Sequence, residues 1–143
     1  MIILDTNIIT EFMRTEPDAA VVNWMNTIPV AALYTTAINV GEQIFGLENL
    51  RGVDEPRRAV LQRDFELFLH TFVTGRILDF DTLAAREWGK VLTETRRGAL
   101  ERTVADMQIA AIARAHGYKL ATRNRRDFEG LGVDLINPFE HRG

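Results

Sequence analysis

The sequence predicts an α/β protein, a three-layer sandwich in which a mostly parallel central sheet carries helices on both faces. Three observations support this. Short apolar, β-branched runs at residues 1–4, 32–36, 77–79, 119–122 and 133–136 alternate with longer segments of helical periodicity. No two-residue hairpin turn joins one run to the next, so the connections are helical crossovers and the strands are mostly parallel. The first run, Met1-Ile2-Ile3-Leu4, is apolar throughout, as a strand covered on both faces must be.

The elements follow in order. Asp5-Thr6-Asn7 ends the first strand and leads into a helix expected over residues 8–14. Pro17 and Pro29 bracket a second helix, 18–28, with Val21, Val22, Trp24, Met25 and Ile28 near helical spacing. After the second strand, a helix over 39–50 aligns Val40, Ile44 and Leu47; Gly52 and Asp54-Glu55-Pro56 break the chain and restart it. The next helix, 57–69, is expected to bury Val60, Leu61, Phe65, Phe68 and Leu69 under a charged outer face. Beyond the third strand, Asp81 caps a helix over 82–97, stopped by Gly98, with Leu83, Trp88, Val91 and Leu92 turned inward. The last long helix, 103–116, carries Ile109, Ile112 and Ala113 on its apolar face and ends at Gly117, a left-handed stop. Residues 123–128 form a polar loop, followed by turns at Gly130 and Gly132 and the final strand.

At 143 residues the chain is expected to be one domain, 1–143, large enough to bury a core. It has no cysteine, which excludes disulfides, thiolate zinc sites and iron–sulfur clusters; any metal must be held by oxygen or imidazole. With 17 Lys and Arg against 20 Asp and Glu, the net charge of −3 argues against a wholly basic nucleic-acid surface but leaves room for a local basic rim. No apolar run approaches the ~18 to 20 residues of a membrane span and no cationic leader precedes the first strand, so a cytoplasmic protein without membrane contact is expected.

Several acids fall at equivalent junctions. Asp5 ends strand one, Glu42 lies in the first turn of the helix after strand two, Asp106 lies in the first turn of the last long helix, and Asn124 and Asp127 follow strand four. In a parallel sheet these junctions share the carboxyl edge, where ligands bind. Each has a structural reading as well. Taken alone, Asp5 reads first as a helix cap, Thr103-Val104-Ala105-Asp106 fits a capping box, Asn39-Val40-Gly41-Glu42 fits a looser one, and Asp127 suits a turn. Jointly they need more, because no lysine stands near Asp5 or Glu42 in the sequence. Converging carboxylates raise one another's pKa unless a hard divalent cation, Mg²⁺ or Mn²⁺, supplies the missing charge.

Asp5-Thr6-Asn7 after an apolar start, Glu42 near the head of a helix, Asp106-Met107-Gln108-Ile109-Ala110-Ala111, and Ala121-Thr122-Arg123-Asn124 with Asp127-Phe128 together resemble a PIN-domain ribonuclease, specifically a VapC-type toxin of a type II toxin–antitoxin system. Gly132-Val133-Asp134-Leu135-Ile136-Asn137-Pro138-Phe139 resembles the family's final strand and tail, so the match spans essentially the whole chain. The resemblance implies a PIN-like sandwich, a homodimer, Mg²⁺-dependent cleavage of RNA (Mn²⁺ substituting), a VapB-type antitoxin that blocks it, and contact with DNA only through that antitoxin. Carried over by position, Asp5 and Asp106 bind the metal directly, Glu42 joins them and orients the attacking water, and Asn124 completes the catalytic set, with Thr6 and Asp127 as additional candidates. The products implied carry 5′ phosphate and 3′ hydroxyl ends. Arg96, Arg97 and Arg102 flank the entry to the Asp106 helix, and Arg123, Arg125 and Arg126 flank Asn124, positions from which they could guide RNA. Two positions depart from the family pattern: Asn124 stands where relatives often have Asp, which bears on one metal ion versus two, and Asn39 stands where Ser or Thr is common.

The rival reading is a PIN-fold dimer that binds DNA with a small partner and keeps only a vestigial nuclease, a reading sustained by Asn124. Asp79-Phe80-Asp81-Thr82 echoes the start of haloacid-dehalogenase-like phosphatases, but too little chain follows for that fold. Gly41 and Gly46 lack the Lys and Ser/Thr of a phosphate loop, the three histidines show no ligand spacing, and Trp24 and Trp88 read as core.

Overall fold

The computed structural model describes residues 1–98 and 102–143, with the side chain of Arg97 also outside the description. Five strands, β1 (Ile2–Leu4), β2 (Leu33–Thr36), β3 (Ile77–Leu78), β4 (Lys119–Ala121) and β5 (Leu135–Ile136), form an all-parallel sheet in the order β3-β2-β1-β4-β5. Among the described residues six helices join them: α1 (Thr6–Phe12), α2 (Ala19–Thr27), α3 (Ala37–Glu48), α4 (Glu55–Phe72), α5 (Thr82–Gly98) and α6 (Val104–His116). The expected α/β sandwich is what the chain adopts.

Side-chain alternation in β1 divides the core. Ile2 and Leu4 face one layer with Ile8, Ile9, Val21, Trp24, Phe65 and Phe68 from α1, α2 and α4. Ile3 faces the other with Val91, Ile109 and Ile112 from α5 and α6. Helix α3 serves both, through Val40 and Ile44 on one side and Ile38 on the other. Burying each such aliphatic side chain contributes about 1.5–3 kcal/mol, so the central strand is anchored on both faces. The chain first moves outward from β1 to β2 and β3, then crosses back to β4 and β5 with its helices on the opposite face. That reversal beside β1 opens a crevice at its carboxyl end.

Several boundaries shift for local reasons. Helix α1 starts at Thr6, not residue 8, because Asp5 itself is the cap and its Oδ1 accepts from Thr6 N at 2.9 Å. Helix α3 starts at Ala37 because Thr36 caps it, its Oγ1 accepting from Asn39 N at 3.1 Å. Asn39 is therefore inside the helix rather than its cap, and Glu42 lies in the second turn rather than the first. Helix α4 begins earlier than expected, at Glu55, under an Asp54 cap that leaves Pro56 in the first turn, where its missing N–H costs nothing. Ala32 belongs to a 3₁₀ turn, Val30–Ala32, and the edge strands β3 and β5 are shorter than expected. The stop expected at Gly98 adjoins residues outside the description. Asp81 does cap α5, accepting from Ala84 N at 3.0 Å.

Val60, Leu83 and Leu92, expected inward, are 46%, 64% and 37% exposed. Phe65 and Phe68 occupy the buried stripe of α4, and Ala84 and Val91 that of α5, so these three side chains fall outside the face that meets the sheet. Among the described residues no helix is long and apolar enough to cross a membrane.

Candidate active site at the carboxyl edge of the sheet

A cavity of about 450 Å³ opens where β1 ends, lined by Asp5, Thr6, Asn7, Glu42, Asp106 and Asn124, with Thr10, Glu11, Arg123 and Phe139 around its outer wall. The sheet sets its floor. Asp5 N donates to Ala121 O at 3.0 Å, extending the β1–β4 pairing by one residue and fixing the carboxylate over the crevice. Only 6% of Asp5 is exposed.

Four donors surround that carboxylate. Its Oδ1 accepts from Thr6 N at 2.9 Å and from Asn39 Nδ2 at 3.0 Å; its Oδ2 accepts from Thr122 Oγ1 at 2.7 Å and, more weakly, from Asn7 Nδ2 at 3.3 Å. Each donor is itself held. Thr36 Oγ1 donates to Asn39 Oδ1 at 2.7 Å, and Asn39 Nδ2 also donates to Thr6 Oγ1 at 3.1 Å. Thr6 Oγ1 in turn donates to Glu42 Oε1 at 3.1 Å, so one chain of hydrogen bonds runs from Thr36 of β2 through Asn39 and Thr6 to Glu42, with Asp5 accepting from Asn39 beside it. Capping and site placement thus use the same Asp5 carboxylate, so the cap read from the sequence and a place in the cavity wall are both realised.

Asp106 is placed differently. It stands in the first turn of α6, where Thr103 caps the helix by accepting from Asp106 N at 3.1 Å, and it is half-buried. The capping-box reading holds for the Thr103 half and leaves the Asp106 side chain on the cavity wall.

Electrostatics couple the three acids. Burial raises the pKa of Asp5 above its ordinary value despite hydrogen bonds from Thr122, Thr6 and Asn39, and the charge of Asp127 adds to the rise. Burial likewise raises Glu42, with the charges of Asp5 and Asp106 adding to it against the Thr6 hydrogen bond. Burial raises Asp106 too, with help from Asp127 and Asp5, while Thr103 and Arg102 pull the other way. Ionising all three together is therefore unfavourable without a counter-charge.

The remaining sequence-derived candidates divide. Asn124 lines the cavity, and its N–H donates to Thr122 Oγ1 at 3.1 Å. Asp127, in the 3₁₀ turn Arg125–Asp127, lines neighbouring hollows instead, although its charge reaches Asp5 and Asp106. Arg123 stands at the cavity wall, while Arg125 pairs with Glu140 at 3.5 Å and Arg126 lines an adjoining hollow. Arg102 Nη2 donates to Glu129 O at 2.8 Å, Arg96 is an exposed residue of α5, and the side chain of Arg97 lies outside the description. Sequence reasoning missed Thr122 and Asn7, and it missed Glu11, which is buried and paired with Arg14 at 3.0 Å. A signal existed for the first of these. Both neighbours of β1 end on threonine, Thr35-Thr36 in β2 and Thr122 after β4, and both strands send a hydroxyl back to β1: Thr35 Oγ1 to Leu4 O at 3.0 Å and Thr122 Oγ1 to Asp5.

The donor set suits a hard divalent cation in kind, being all oxygen, anionic and self-repelling. Among the described residues no three Asp, Glu or His side chains stand close enough to form a closed metal-ligand set. Bringing Asp5, Glu42 and Asp106 onto one ion would require side-chain rotation, for which the half-buried Glu42 and Asp106 have room and the buried Asp5 does not.

A parallel five-stranded sheet that gathers carboxylates at the end of its first strand is PIN architecture, and the chain belongs to that family: the PIN domain matches residues 2–133. Its relatives include a VapC ribonuclease and the toxin FitB. The chain is 39% identical to VapC ribonuclease Y4jK of Sinorhizobium fredii, over 98% of this chain and 99% of the relative. It is 32% identical to Toxin FitB of Neisseria gonorrhoeae, over 97% and 99%. The solved structure of FitAB bound to an IR36 DNA fragment superposes with a TM-score of 0.88 at 31% identity, covering 100% of this chain and 99% of that one. The resemblance to VapC-type PIN proteins drawn from the sequence therefore holds.

Proposed function

We propose that the chain, acting as a single PIN domain, is a Mg²⁺-dependent endoribonuclease toxin restrained by a VapB-type antitoxin. The observation that carries this reading is that Asp5, Glu42 and Asp106, each with a raised pKa, line one cavity at the switch point of the sheet. The relative named VapC ribonuclease supports the activity, and the metal requirement follows from the charge that the three acids leave uncompensated.

In this reading Asp5 and Asp106 hold the ion, with Mn²⁺ as a substitute for Mg²⁺. A bound divalent ion supplies a lowered water pKa and charge neutralisation at the phosphate. Glu42 keeps Oε1 on Thr6 and uses Oε2 to orient the attacking water and accept its proton, a task for which its raised pKa fits it better than an ordinary glutamate. Asn124 contributes a neutral oxygen at the outer edge.

The FitAB neighbour, solved on DNA, supports a paired antitoxin through which the complex meets DNA. Exposed Phe45, Leu67 and Leu83 offer apolar surface for that partner and for a second copy of the chain, as a homodimer requires. The cytoplasm, where RNA is the substrate at hand, is the proposed place of action. The rival DNA-binding module is not favoured, since it leaves three mutually repelling carboxylates at the sheet edge without a role.

The purified chain incubated with a panel of structured RNAs should cut at least one in Mg²⁺, leaving 5′ phosphates, and stop when chelator is in excess. Cleavage that persists in chelator contradicts the metal reading. Intact RNA across the whole panel favours the binding module.

A further inference from the structure

Of the arginines near the cavity, Arg123 is held in a way the others are not. Its guanidinium carbon lies 4.4 Å from the centre of the Phe139 ring, and Phe139 is partly buried against the first core layer. Its backbone N–H donates to Asn7 Oδ1 at 3.2 Å, tying the loop to the helix that begins at Asp5. The side chain is exposed, and among the described residues no carboxylate lies within ion-pair distance of it, whereas Arg125 is paired with Glu140. A cation oriented by stacking but not neutralised keeps its N–H edge available to an anion. Arg123 and Asn124 also form the wall shared by the acidic cavity and an adjoining hollow of about 370 Å³, where Arg125 is paired with Glu140 and Arg126 stands beside Asp127 and Asn137.

We propose that Arg123, stacked on Phe139, is the subsite for the RNA phosphate next to the scissile one, and that the strand leaves the acidic cavity through the adjoining hollow on the arginine side. This rests on the ribonuclease reading above. It divides the labour between a carboxylate side that cuts and an arginine side that sets the register of the strand.

The test uses the full chain carrying Asp106→Asn, so that RNA is bound without being cut, and follows fluorescence anisotropy of a labelled RNA cleaved by the wild type across a salt series. Adding Arg123→Ala should weaken binding about ten-fold and reduce the salt slope by about 0.7, the contribution of one phosphate contact on a single strand. Arg123→Lys should restore the slope but only part of the affinity, and Phe139→Leu should weaken binding with the slope unchanged. Arg63→Ala, on the outer face of α4, should alter neither. An Arg123→Ala protein with unaltered slope and affinity overturns the subsite while leaving the nuclease reading in place. The same holds if its defect appears only in binding to the antitoxin, which would assign Arg123 to that partner. Absence of RNA binding by the Asp106→Asn protein, together with absence of wild-type cleavage, overturns both.

Discussion

Asp5 and Asp106 line the same cavity with raised pKa values, yet they are built in opposite ways. Asp5 is fixed by the sheet: it is buried, and four donors from α1, α3 and the end of β4 hold its carboxylate at the cavity wall. Asp106 is fixed only by its helix, through the Thr103 cap, and its half-buried side chain keeps freedom to turn. On the proposed metal reading, one site then combines a rigid anchor with an adjustable closing ligand, and the anchor should matter more to the stability of the protein than the closing ligand does.

Substitution at the two acids gives the largest contrast. Both Asp5→Asn and Asp106→Asn should lower RNA cleavage at least about a thousand-fold. Asp5→Asn also turns an amide N–H toward the Thr122 hydroxyl and Asn7 amide or leaves Asn39 and Thr6 without an acceptor, costing about 1–3 kcal/mol in denaturant unfolding. Asp106→Asn removes a repelling charge and should leave stability unchanged or slightly higher. Equal stability losses in the two variants would break the comparison.

Asn39→Ala tests the anchor from one step away. It removes donors to Asp5 and Thr6 and takes away the acceptor of the Thr36 hydroxyl while leaving the backbone cap bond in place, with an expected cost of about 1–3 kcal/mol. Cleavage should fall about ten- to a hundred-fold, the usual effect of losing a group that orients a ligand. A variant that loses stability but cuts at the wild-type rate would show that Asn39 serves the fold alone.

Stability without metal should depend on pH in a direction set by the same acids. Because Asp5, Glu42 and Asp106 are raised above 3.8, 4.5 and 3.8, the folded chain holds their protons more tightly than the unfolded chain does. Their favourable contribution is present in full below those ordinary values and is lost as pH rises through the folded ones. In chelator, the melting temperature should therefore climb on acidification from neutral pH toward the ordinary carboxylate range, and Asp106→Asn should flatten the climb. Saturating Mg²⁺ should raise it most at neutral pH. Glu48, held down to about 2 by Arg51 and then Arg58, acts in the opposite sense but only below its ordinary 4.5.

The smallest effect is expected at the rim. Asn124→Asp adds a charge to the cavity wall and should tighten divalent-ion binding by about three- to ten-fold in calorimetry. Unchanged affinity would place position 124 outside the ion's reach.

The sequence made one side of this comparison easier to read than the other. Met1 to Asp5 announced a buried central strand with an acid at its end, because nothing but a two-sided sheet accepts that run. The junction rule then brought Glu42, Asp106 and Asn124 to the same edge, and all four line the cavity. What escaped was non-local. The part played by Thr122 depends on Leu4 pairing with Ala121, and the cap at Thr36 that moved Glu42 into the second turn depends on how β2 hands over to α3. Periodicity also misled at Val60, Leu83 and Leu92, since an apolar stripe wider than one contact face does not say which part meets the sheet.

The most direct measurement is a calorimetric titration of Mn²⁺ into the wild type and Asp106→Asn at neutral pH, paired with their melting curves in chelator. A saturable site is expected in the wild type and its loss in the variant, with the metal-free variant melting at or slightly above the metal-free wild type. An Asp106→Asn protein that binds Mn²⁺ as tightly as the wild type would contradict it.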